Sequence, residues 1–249
     1  MLLAKSCHDI DLMMWLMQPT LPVSVSGAGG LYQFRPENAP AGAGTRCTVD
    51  CPLVDTCRFS AKKLYLEHPD WWRCYVWKEF EDKPGYKETE EERIESLKNG
   101  NPYNRCVYKC DNNVSDHNSV LVHFANGATG THNMIGGAAK SMRKIHIIGT
   151  KGEIYGTLDD NTYTFSRTEP QSERGFVDET VCLSDYELNS HGGGDEALIA
   201  DFVDYVKTGK ESLSCTSIYN SVAGHLTVFL ADKSCENGGE VQQCDFSHF

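Results

Sequence analysis

Apolar residues at Ile10, Leu12, Met13, Met14, Leu16 and Met17 cover so much of a helical wheel that residues 9–17 predict a buried helix, which Pro19 stops. Val23 and Val25 then alternate with Ser24 and Ser26, the period of a strand. Periodicity fades over residues 35–104, a long insertion of loop and short helix dense in Cys, Trp and Tyr, in which an acidic helix over about 88–98 ends at Asn99-Gly100. From 105 onwards the period becomes two. Val120, Val122 and Phe124 alternate up to Asn126-Gly127, and Thr129 and Thr131 open the return strand of a hairpin. Ile145, Ile147 and the stretch 154–157 flank Gly149-Thr150-Lys151-Gly152, and Asp159-Asp160-Asn161 turns into residues 163–165, which extends the pattern into a meander.

Two helices close the chain. Asp195 reads as the N-cap of one whose Leu198, Ile199, Phe202, Val203 and Val206 share a face and which Gly209 ends; Ile218, Val222, Leu226 and Phe229 mark a second over about 216–233. The sum is an α+β fold, a large open, mostly antiparallel sheet of about six to nine strands with helices on one face. We read residues 1–249 as a single domain, with the insertion at about 35–104, the sheet at about 105–185 and the C-terminal helices at about 195–233.

At 249 residues and 40% hydrophobic, the chain can bury a substantial core. A net charge of −12 argues against nucleic acid or an anionic membrane as partner, since either selects a basic face. Apolar runs fall far short of the ~18 residues of a membrane span, and no basic leader precedes the first helix, so a cytoplasmic protein is expected. The 11 cysteines are odd in number and fit reduced thiols or metal ligands better than a disulfide framework. Gly27-Ala28-Gly29-Gly30 is not a dinucleotide loop: Tyr32 stands where the third glycine is needed, and no acidic residue closes a second strand.

Four features can carry chemistry. His8, at the mouth of the first helix with Lys5 three residues before it, suits proton transfer, against the plainer reading of a helix-end histidine and a solvated lysine. Cys47, Cys51 and Cys57 lie on one loop and suit zinc, with Cys74, Cys106, Cys110 or His68 as fourth ligand; the competing reading is buried free thiols. Cys106-x-x-x-Cys110 is a second pair, at a strand start. His191 precedes three glycines and Asp195, where free backbone N–H groups at a helix start favour an anion or hydroxyl. Trp71, Trp72, Tyr75 and Trp77 suit either a sugar face or a packed core. Asp111 to His117 mixes ligand types but has neither the glycine nor the glutamate of a calcium loop, and reads as the beginning of a sheet strand.

Taken in order, Lys5-Ser6-Cys7-His8-Asp9-Ile10-Asp11-Leu12, the Phe34–Pro40 segment with its cysteine loop, Ile148-Gly149-Thr150-Lys151-Gly152-Glu153 and the final Gly-Gly-Asp helix resemble the glucose-fructose oxidoreductase / inositol dehydrogenase (Gfo/Idh/MocA) family, over its C-terminal domain alone. The resemblance implies a dihydrodipicolinate-reductase-like fold that binds substrate and forms homo-oligomers through its sheet. It also implies an N-terminal Rossmann domain, absent from this sequence and supplied in cis or in trans, that binds NAD or NADP, so that the chain alone is expected to bind neither and to be inactive. Activity would be oxidation of a sugar or cyclitol hydroxyl. In the family motif Asp-x-x-x-His, the histidine works with a lysine of a Glu-Lys-Pro segment in the Rossmann domain. Here His8 matches the histidine and Ala4 occupies the acid's place, with Lys5 read as its replacement. The resemblance makes His191 a substrate contact, and Asp9 and Trp72 are read as further substrate contacts. The competing classes are a non-catalytic binding or assembly module and a cysteine-loop zinc protein.

Overall fold

The computed structural model describes residues 2–81, 85–157, 160, 162–183 and 193–247. Its principal elements are α1 (Cys7–Met17), β1 (Pro22–Gly30), α2 (Glu90–Lys98), β2 (His117–Phe124), β3 (Thr129–Ile135), β4 (Lys144–Gly149), β5 (Gly152–Thr157), β6 (Thr162–Thr168), β7 (Phe176–Cys182), α3 (Gly194–Thr208), α4 (Ile218–Glu236) and β8 (Gln242–Gln243). The fold is α+β, as the periodicities predict. The described strands form two four-stranded antiparallel sheets, ordered β3-β2-β1-β8 and β4-β5-β6-β7, in two compact units of residues 1–136 with 219–249 and of residues 137–218.

In the first unit, alternation decides which side chains face inward. Val25 of β1 and Val120, Val122 and Phe124 of β2 are buried against Ile10 and Met14 of α1 and Val228 and Ala231 of α4. Burying each such side chain stabilises by roughly 1.5–3 kcal/mol, which outweighs any helix propensity in α1. The apolar alternation is therefore consumed under the helices, and the opposite face presents small and polar groups such as Ala28, Ser119 and Asn133. Hairpin β2–β3 turns at Asn126-Gly127 as predicted. Gly127 takes φ 85°, and Asn126 Oδ1 accepts from the Ala128 N–H at 3.0 Å.

Two glycines bring the layers together. Gly27, inside β1, has its N–H bonded to Ser234 Oγ of α4 at 2.9 Å, and a Cβ there would lie 2.8 Å from Cys235 Sγ and 3.0 Å from the Ala231 carbonyl oxygen. The Gly27–Gly30 stretch is thus strand, paired to β2 from Val120 to His117. Gly130 of β3 lies directly under Met13 of α1. Beyond β1, Asp116 is buried and its carboxylate accepts from the backbone N–H groups of Tyr32, Gln33 and Phe34 at 2.6–3.1 Å, fixing the entry to the insertion.

The insertion has its own small core of Cys47, Ala61, Val76, Trp77 and Leu97. Helix α2 starts with a capping box in which Thr89 Oγ1 accepts from the Glu92 N–H and Glu92 Oε2 from the Thr89 N–H. Residues 106–110 form a turn closed by the Cys110 N–H to the Cys106 carbonyl at 2.9 Å, so this pair precedes the sheet instead of opening a strand. In the second unit, α3 starts two residues earlier than predicted. Gly193, at φ 78°, is its N-cap and Asp195 lies in the first turn, while Gly209 ends it at φ 68°.

Burial pushes the Asp116 carboxyl up, but hydrogen bonds from Phe34, His117, Tyr32 and Gln33 outweigh it and hold the group at about 2, against an ordinary 3.8. A depressed folded value means the stabilisation is complete above the unfolded value and lost as pH falls towards about 2. Asp116→Asn should cost about 2 kcal/mol at neutral pH and flatten the loss of stability between about pH 4 and pH 2, read by denaturant titration at several pH values. Gly27→Val should cost about 1–3 kcal/mol in the same assay because the Ala231 carbonyl is backbone that cannot step aside.

Candidate functional site on the first helix

A π-helical turn over Leu2–Ser6 runs directly into α1, so the chain is already helical where His8 stands. His8 is therefore a side chain on a helix face, not a cap, and Lys5, His8 and Asp9 follow at i, i+3 and i+4, which puts them on one side. Leu2, Ser6, Ile10 and Met14 are buried on the other. Lys5 and His8 are exposed, and Asp9 is partly covered.

The cover comes from β3. Gly130 and His132 are two apart on a strand and share a face, as Met13 and Asp9 share one on α1. The close approach of Met13 to Gly130 lets Asp9 Oδ2 reach His132 Nε2 at 3.3 Å. The His132 side chain is only 10% exposed, and its Nδ1 is buried with no hydrogen-bond partner among the described residues. An imidazole held at one nitrogen by a carboxylate is oriented, and such a pair fixes the Asp9 side of the helix beside His8. His132 is the residue that sequence reasoning missed. The hairpin register carries the signal: Val120 pairs with His132 and Val122 with Gly130, so inward valines require an inward histidine.

The remaining predicted residues fall elsewhere. Trp72 is 49% exposed in the insertion, tilted against Tyr75, and among the described residues no hydrogen bond or ring contact joins it to α1. Trp77, by contrast, is core, 1% exposed, with Nε1 donating to the Pro69 carbonyl at 3.2 Å. His191 lies outside the described residues.

Cys47, Cys51 and Cys57 do come together, lining one cavity with Cys106, while Cys74 is exposed and His68 stacks on Trp71 at 3.8 Å. Burial pushes the Cys47 thiol up, and the nearby Cys106, Cys51 and Cys57 add to the rise. Among the described residues, no group of three or more His, Cys, Asp or Glu side chains is arranged as it stands to hold a metal ion, so the zinc expectation gains no support from coordination geometry. Nor does Gly27–Gly30 fit a nucleotide: its backbone is paired in the sheet and opens no helix onto a pyrophosphate. No helix among the described residues is long and apolar enough to cross a membrane.

Comparison with known proteins finds oxidoreductases of similar fold. The oxidoreductase domain protein from Kribbella flavida is 14% identical, with a TM-score of 0.56 over 97% of this chain and 50% of its own. A putative NADPH-dependent oxidoreductase from Desulfitobacterium hafniense gives 14%, 0.48, 96% and 46%, and the UDP-N-acetylglucosamine 3-dehydrogenase GnnA from Acidithiobacillus ferrooxidans gives 14%, 0.45, 91% and 45%. The chain thus spans about half the length of these structures. No curated protein matches it. Residues 1–241 match the family described as the oxidoreductase family, C-terminal alpha/beta domain, so the chain belongs to the Gfo/Idh/MocA family as its C-terminal domain.

Proposed function

We propose that this chain is the substrate-binding half of an NAD(P)-dependent dehydrogenase acting on a hydroxyl of a sugar or cyclitol, and that a Rossmann domain in cis or in trans completes it. The observation that carries the reading is the helix itself: Lys5, His8 and Asp9 share one side of a run whose other side is locked to the sheet. A nicotinamide held by the second domain would take the hydride from carbon. His8 accepts the hydroxyl proton as the carbonyl forms, and Lys5 offers positive charge to the developing oxyanion. Asp9, held by His132, bonds a neighbouring hydroxyl. His191 is assigned to the substrate on the family resemblance, Trp72 on the ability of a flat ring to stack on a sugar face, and the open face of the first sheet to pairing of two chains.

Ala4, where the family motif has an acid, favours a second reading: an assembly module that kept the fold and lost the reaction. Kinetics separates the two. In the chain joined to a Rossmann domain of the family, His8→Ala and Lys5→Met should each lower turnover at least about a hundredfold, with nicotinamide affinity and melting temperature nearly unchanged. Retention of most turnover by His8→Ala contradicts the assignment.

The isolated chain should not bind NADH or NADPH in a calorimetric titration; micromolar binding would place a nucleotide site within it. Light scattering at micromolar concentration should report at least a dimer, whereas a 27.7 kDa monomer excludes pairing through the sheet under those conditions.

A further inference from the structure

The four-cysteine cavity is independent of the proton-transfer helix, and its construction begins in the backbone. Arg46 and Arg105 form an isolated antiparallel bridge, with the Cys47 N–H bonded to the Asn104 carbonyl and the Cys106 N–H to the Thr45 carbonyl, both at 2.8 Å. Cys47 is then opposite Asn104 and diagonal to Cys106 on the same face, a spacing of about 7–8 Å or less that two side chains can span. Asp50 holds the turn that follows, accepting from the Thr45 and Arg46 N–H groups at 2.7–3.1 Å. The Cys57 N–H bonds to the Leu53 carbonyl at 2.9 Å and carries the third cysteine of the loop back over the ribbon.

We propose that Cys47, Cys51, Cys57 and Cys106 together bind one thiophilic divalent cation of the zinc class in the cavity they line, and that this ion fastens the insertion. The space is ≈ 20 Å³, which suits a single ion and is too small for an iron–sulfur cluster. The rest of the wall is largely apolar, including Pro40, Leu53, Val54 and Phe59. Thiols present only as small core groups would close such a space, since interiors leave few voids. Four cysteines lining one hole require another explanation.

The Ala61 N–H donates to Cys47 Sγ, the kind of outer hydrogen bond that supports a metal thiolate. Thiols that ligate a divalent cation do so as thiolates, and the displaced protons leave to solvent. The four side chains are not arranged as a ligand set as they stand, so binding requires their thiols to turn inward about χ1.

The test is elemental analysis of the full 249-residue chain, expressed with zinc in the medium and purified without chelator. About one zinc per chain is expected, falling at least fivefold in Cys51→Ser and Cys106→Ser and unchanged in Cys74→Ser and Cys110→Ser. Because a serine variant that fails to fold loses metal trivially, the wild-type chain is also loaded with cobalt(II). Thiolate-to-cobalt charge transfer with tetrahedral d–d absorption is expected. Zinc below about a tenth of an equivalent without a cobalt–thiolate spectrum, iron with acid-labile sulfide, or a disulfide among the four in freshly purified protein would each overturn the proposal.

Discussion

The contact of α1 with β3 is the constraint on which the site depends. Gly130 has no side chain, so Met13 can settle onto the strand, and that approach brings Asp9 to His132. Any side chain at 130 must displace the Met13 side chain from the strand. The same close packing recurs at Gly27, where α4 meets β1, and at Gly224, whose missing side chain leaves room for Asp11 of α1. Two helices are thus pressed on one sheet face with little slack, and the face of α1 turned away from the core is held at a defined angle. A proton-transfer group needs that rigidity, because its rate depends on a heavy-atom distance of about 2.6–3.2 Å to the reacting hydroxyl.

Much of this was legible in the sequence, and what was not has identifiable causes. The first helix and the β2–β3 hairpin were evident because both are local: Pro19 ends one, and Asn126-Gly127 turns the other. His132 is encoded in the register around Gly127, which places it opposite Val120, but the alternation of Thr129 and Thr131 marks only the exposed side of the strand. The Thr89–Glu92 capping box was a local signal left unread. Asp116 looked like one polar residue among several in residues 111–117; only folding reveals three backbone donors converging on it from residues 32–34.

The cysteines show the limit most clearly. Three of them share a loop, but the fourth member of the cavity is chosen by a bridge between residues 46 and 105, a pairing no periodicity encodes. Division of the strands into two four-stranded sheets is invisible for the same reason, since alternation says which way a side chain points and not which strands share a ladder.

The central claim is that the exposed side of α1 faces the reacting hydroxyl. Its most direct test is a crystal structure of the chain joined to a Rossmann domain, with reduced nicotinamide and a polyol substrate bound. The account predicts a His8 ring nitrogen about 2.6–3.2 Å from the hydroxyl on the carbon that faces the nicotinamide, with Asp9 still bonded to His132. A substrate bound away from α1, with His8 in solvent, would contradict it.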